Sequence, residues 1–230
     1  MYYPLSCNIF KLLSRSSRVY VCVEQRGREL MVREDSMNFI FNERRSTQAA
    51  AFLIRRNGNK LNYMKLIKLL YLVDRTALIK WQQPITGDKY YSLPHGPVVS
   101  KILDKISSGP NPESPDYWSS IIKKSQDDSY AVTTIDEPEY DELSKREIRL
   151  LEGIDDKFKT FSQWDMVAYC HKNLPEWEDP NGSSDQITVR DILKTSIKNG
   201  TDKELDFLLE NVAFKIAIDN KNSEIADATW

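Results

Sequence analysis

The stretch Asn62-Tyr63-Met64-Lys65-Leu66-Ile67-Lys68-Leu69-Leu70-Tyr71-Leu72-Val73-Asp74-Arg75, continued to Trp81, decides the fold of this chain. Asn62 is of a type that caps helices. Beyond it Tyr63, Leu66, Ile67, Leu69, Leu70, Val73, Ala77, Leu78 and Trp81 recur at about 3.6 residues per turn over a broad arc. So wide an arc predicts a helix buried on most of its circumference, with Lys65, Lys68 and Arg75 on the remaining side. Asp74 projects inside the apolar arc, between Ile67 and Trp81. A carboxylate there needs donors, since an unpaired buried charge is strongly unfavourable, and Lys89, Tyr90 or the N–H groups of the Thr86–Asp88 turn are placed to supply them. Asp74 therefore reads as an internal pin joining the helix to the following turn. A catalytic or metal role shared with Asp88 and His95 is the weaker reading.

Working outward, Glu43 to Asn57 carries Ala50, Phe52, Leu53 and Ile54 among basic residues, and Gly58 stands where a helix would stop. Downstream, Pro84 ends the central helix. Ile85-Thr86-Gly87-Asp88 reads as a turn, and Lys89 to Leu93 as a short extended segment. Gly96-Pro97 is expected to open the next helix with proline at its first position, which would set His95 beside a helix N-terminus. Ser107 to Pro115 is a loop and Tyr130 to Ile135 a strand. Ser144-x-x-Glu147, Ser162-x-x-Asp165 and Thr188-x-x-Asp191 each announce a helix start, and His171 falls in the last turn of the second of these helices. A final helix is expected from Asp202 to Ile218. The reading is mainly α, a multi-helix domain with a small antiparallel β-hairpin or sheet.

Residues 1–36 look unlike the rest, because Val19 to Val23 form a short apolar run without an evident partner strand. Met37 directly precedes the first helical pattern. We therefore expect residues 1–36 to be a dispensable N-terminal extension, 37–220 the functional module, and 221–230 a fraying tail.

At 230 residues the chain can bury a sizeable core without staples. Cys7, Cys22 and Cys170 are odd in number and far apart, and His95 and His171 are the two histidines, so no zinc spacing, HExxH or glycine-rich phosphate loop is present. Neither a run of about twenty apolar residues nor a secretory leader pattern is found, and a reducing cytoplasm is expected. Net charge is −2, but it is divided: Glu43 to Lys101 holds eleven basic against three acidic residues, and Gln126 to Asp156 three against eleven. Mutual attraction of these regions across the fold is the preferred reading, a steering patch for a charged partner the other.

Three pieces of the sequence resemble a known family. The run from Lys65 through Lys68, Leu69, Leu70 and Tyr71 to Asp74 is similar to the signature helix of the Panacea domain, the SocA-like antitoxin module. Pro84 to Tyr90, with Gly87 and Asp88, followed by Pro94-His95-Gly96-Pro97-Val98, is similar to that family's turn and its G-P-V element. Ser162 to Tyr169 with His171, Pro175 and Trp177 resembles its closing helix and P-x-W element. Together they span about Arg44 to Pro180.

The resemblance implies a mainly helical antitoxin without cofactor or metal, and not an enzyme. Its partner would be a protein toxin, usually from a neighbouring gene, inactivated by contact or delivered to a protease. Partner choice should lie outside the shared motif. The Ser107–Tyr117 loop with Trp118, and the acidic Glu137–Glu142 stretch with Glu139 and Tyr140, are the expected contacts. Tyr63, Tyr71, Tyr90 and Tyr91 among lysines read as core and rim aromatics, in preference to a platform for nucleic-acid bases.

Overall fold

The computed structural model describes residues 20–25, 28–33, 37–109, 116–136, 138–197 and 201–227. Among these residues the chain forms eight helices and three small antiparallel sheets, so it is predominantly α with some sheet. It divides into two compact units, one from Phe41 to Ile187 and one that joins the N-terminal hairpin to the residues from Thr188 onward.

In the larger unit α1 (Glu43–Arg56) starts at Asn42, whose side chain accepts from Arg45 N. β3 (Leu61–Asn62) leads into α2 (Tyr63–Trp81), where Asn62 Oδ1 accepts from Met64 N and Lys65 N as its residue type predicts. Leu66, Leu69, Leu70, Tyr71, Val73, Ala77 and Leu78 are wholly enclosed. Two of the three residues expected on the solvent side of α2 are enclosed, Lys65 at 6 % and Lys68 at 1 % exposure, while Arg75 stays partly exposed. The reason is that α5 (Lys145–Lys157), α6 (Gln163–Asn173) and β5 (Gly96–Val99) pack where water was expected, over the aliphatic stems of both lysines.

β4 (Tyr90–Leu93) pairs with β5 on one side and with β8 (Asp185–Ile187) on the other. The helix expected at Gly96-Pro97 is therefore a strand, and α3 (Ser100–Ser108) begins only after it. Two physical facts override the proline signal. β5 is an edge strand, where a missing N–H is tolerated, and the cap of α3 comes from afar. Asp88 accepts from Lys101 N at 2.9 Å and Ile102 N at 3.0 Å, while Val99 makes no side-chain cap.

α4 (Tyr117–Ile121) and β6 (Ile122–Lys124) precede β7 (Ala131–Thr134), and β3, β7 and β6 form the second sheet. Both capping boxes of this unit form, Ser144 with Glu147 on α5 and Ser162 with Asp165 on α6. The two oppositely charged regions face each other. Arg56 meets Asp155 at 2.9 Å and Asp156 at 2.5 Å, Lys60 meets Asp127 at 2.7 Å, and Arg44 lies 3.9 Å from both Asp141 and Glu142.

In the smaller unit β1 (Tyr20–Gln25) pairs antiparallel with β2 (Arg28–Arg33), so the apolar run does have a partner strand. α7 (Val189–Lys194) carries the third capping box, Thr188 with Asp191. α8 runs from Asp202 to Asp227, past the expected end at Ile218 and through most of the tail expected to fray; residues 228–230 lie outside the described ones. β1 lies alongside α8 within the smaller unit. Among the described residues no helix is long and apolar enough to cross a membrane.

Candidate functional site

The motif residues, scattered over more than a hundred positions, converge on the β4–β5 hairpin. Asp74 reaches from α2 to the turn before it. Oδ1 accepts from Ile85 N at 2.8 Å and Thr86 N at 3.0 Å, and Oδ2 accepts from the Thr86 hydroxyl and from Tyr90 Oη at 3.1 Å. Lys89, one of the expected donors, is exposed and takes no part in this network. Burial raises the Asp74 carboxyl to about 6 against the pull of these donors. At neutral pH it remains mainly ionised. Gly87, with φ +67°, makes the turn that aims Thr86 and Asp88 in opposite directions, toward α2 and toward α3.

Lys68 enters from the other side of α2 and donates to Pro97 O at 2.8 Å. Gly96, with φ +96°, lies so close that a Cβ there would stand 3.2 Å from Lys68 Nζ and 3.3 Å from Cys170 Cβ. Glycine is thus required twice over, by its backbone angle and by its neighbours. Among the described residues no carboxylate pairs with Lys68, and burial lowers its ammonium to about 8. The thiol of Cys170 is pushed the other way by burial, to about 11.

The last piece of the motif closes over these elements. Glu176 accepts from Tyr71 Oη at 2.9 Å and from Arg75 Nε at 2.6 Å and Nη2 at 3.3 Å, with its own side chain fully enclosed. Trp177 Nε1 donates to Leu93 O at 3.0 Å, and the His171 ring stacks on Trp177 at 3.9 Å. Burial against this surface lowers the imidazole below its usual range. Glu176 was missed in the sequence. Its one signal is an acid set inside Pro-x-Trp, three residues beyond the end of an amphipathic helix.

His95 lies in the exposed hairpin turn, not at the start of a helix opened by Gly96-Pro97, and meets Trp164 of the first turn of α6 edge-on at 5.7 Å. Asp74, Asp88 and His95 are thus separated in role: the two carboxylates are occupied by backbone and hydroxyl donors, and the ring points elsewhere. Val98, like Leu69 and Leu70, is buried. Of the expected partner contacts, Trp118 is corrected to core, at 4 % exposure under α1. Tyr117 lies beneath the Arg44 guanidinium at 4.6 Å, Tyr140 meets Phe52 edge-on, and Glu139 is exposed. Glu137 and residues 110–115 of the loop lie outside the described residues.

Residues 66–178 match the family model of the SocA-like antitoxin, Panacea domain. These residues belong to the Panacea family. The match starts on α2 and ends one residue after Trp177, so it covers the three elements that meet at the hairpin. No curated protein and no solved structure matches the chain.

The Panacea hairpin supplies a prediction about Lys68. An unfolded lysine titrates near 10.5, the folded one near 8, so between these values the unfolded chain holds more protons and stability rises with pH. From pH 7 to 9 urea unfolding of the parent should gain about 1 kcal/mol, a rise that Cys170 begins to offset as pH nears 9, where an unfolded thiol ionises. Lys68→Met should lack this rise, and it should not be less stable at pH 7, because it removes a charge without a charged partner.

Proposed function

We propose that the chain is the antitoxin of a toxin–antitoxin pair, a cytoplasmic protein that neutralises a cognate protein toxin by direct, stoichiometric contact and is not an enzyme. The observation that carries this reading is the match to the SocA-like antitoxin family over 66–178. The disposition of the motif supports it. Asp74, Asp88, Lys68 and Glu176 are spent on bonds within the chain, so the motif residues act as a scaffold and leave toxin recognition to the surface outside the motif. On that surface Tyr117, Glu139 and Tyr140 remain the contacts this reading expects.

The test is a titration of purified protein against the toxic activity of the neighbouring gene product. Inhibition complete at a fixed molar ratio, with the two proteins co-purifying, is the expected result. Loss of toxin in catalytic excess over this chain would point to chemical modification and defeat the reading. Toxin that disappears only when a protease is present would make the chain an adaptor.

A further inference from the structure

The outer face of α8 is apolar where a surface helix should be polar. Leu205, Leu209, Val212, Ala213 and Ile216 are buried on one side of the helix. At about 100° per residue, Phe207, Asn211, Phe214 and Ile218 fall on the opposite side. Phe207 is 58 % and Phe214 38 % exposed, and Ile218 is half-buried. Their spacings of four, three and four residues are those of a coiled-coil seam, with the phenylalanines at d and Asn211 and Ile218 at a.

We propose that α8 is a homodimerisation helix, pairing parallel and in register with α8 of a second copy of this chain through Phe207, Asn211, Phe214 and Ile218. The occupant follows from the residues flanking and interrupting the seam. In the parallel arrangement each a residue meets its own copy, so the two Asn211 amides face and can hydrogen-bond each other, whereas antiparallel pairing would set the amide against a phenyl ring. Glu210 stands at g and Lys215 at the following e position, the pair that comes together across a parallel seam. Antiparallel pairing would oppose like flanks. Burial and, one turn away, the like charge of Asp206 raise the Glu210 carboxyl, so an opposite charge across the seam is favoured there.

Sedimentation velocity of the full chain over a wide concentration range tests the proposal. The expected species has about twice the 26.7 kDa chain mass. The double variant Phe207→Ser/Phe214→Ser should weaken association by about a hundredfold or more. Because both side chains are exposed, its helical circular dichroism and melting should stay those of the parent monomer. Glu210→Lys alone should weaken the dimer, and Glu210→Lys with Lys215→Glu should restore it. A parent that stays monomeric throughout, a double serine variant that dimerises unchanged, or a charge exchange that fails to restore association would each overturn it.

Discussion

Asp74→Ala should cost about 3–5 kcal/mol of folding stability, measured by urea unfolding, because four donors lose their acceptor at once inside the core. Two of them, Ile85 N and Thr86 N, are backbone groups in a buried turn and cannot turn to water. The same turn holds Asp88, which caps α3, so the damage should spread from α2 through the turn to α3. Asp74→Asn should be far milder. Its carbonyl oxygen can keep both N–H donors, and its amide can donate to the Thr86 and Tyr90 hydroxyls, which then serve as acceptors.

The pair also makes a pH prediction. With its carboxyl raised to about 6 from an ordinary 3.8, folded Asp74 holds its proton more tightly than the unfolded chain does. Its contribution is full below about pH 4 and is lost as pH rises through 6. Relative to the parent, Asp74→Asn should therefore gain roughly 2–3 kcal/mol between pH 4 and 8. A parallel pair of stability curves would mean that the donors, not burial, govern the group.

What the sequence disclosed and what it hid divide along the range of the forces involved. Asn62, Ser144, Ser162 and Thr188 act on backbone groups two or three residues away, and all four caps are legible. Asp74 is legible too, since a carboxylate on an apolar arc admits few explanations, and its partners lie in the next turn of chain. The start of α3 was not. Its cap comes from Asp88 while Gly96-Pro97 offers a stronger local signal, and only the pairing of β4 with β5 shows that this signal is spent on an edge strand. The lysines of α2 failed for the same reason at greater distance: whether Lys68 meets water depends on α6 and β5, which periodicity along α2 cannot report. Trp118 was read as a loop aromatic because α4 is too short to leave a period. In each miss the local pattern was correct and a contact from another element outweighed it.

Glu176 is the residue on which the end of the Panacea motif turns. Glu176→Ala should cost about 3 kcal/mol, because it removes the acceptor of the buried Tyr71 hydroxyl and the two-pronged partner of Arg75 together. Burial of the acid makes the loss large, since an exposed Arg–Glu pair would be worth little. A double-mutant cycle separates the two bonds. In a Tyr71→Phe background the cost of Glu176→Ala should fall by about 1 kcal/mol, the share of the phenol, and what remains belongs to the guanidinium. The site of the damage is equally specific. Glu176 ties its segment to Tyr71 and Arg75 of α2, and the adjacent Trp177 bonds Leu93 O and stacks on His171. Releasing the acid should therefore free the indole, and its emission should shift to the red before global unfolding, while Lys68→Met leaves it in place. An emission maximum that moves only with the main transition would show that Trp177 is held by its own bond and stack, and that the carboxylate serves α2 alone.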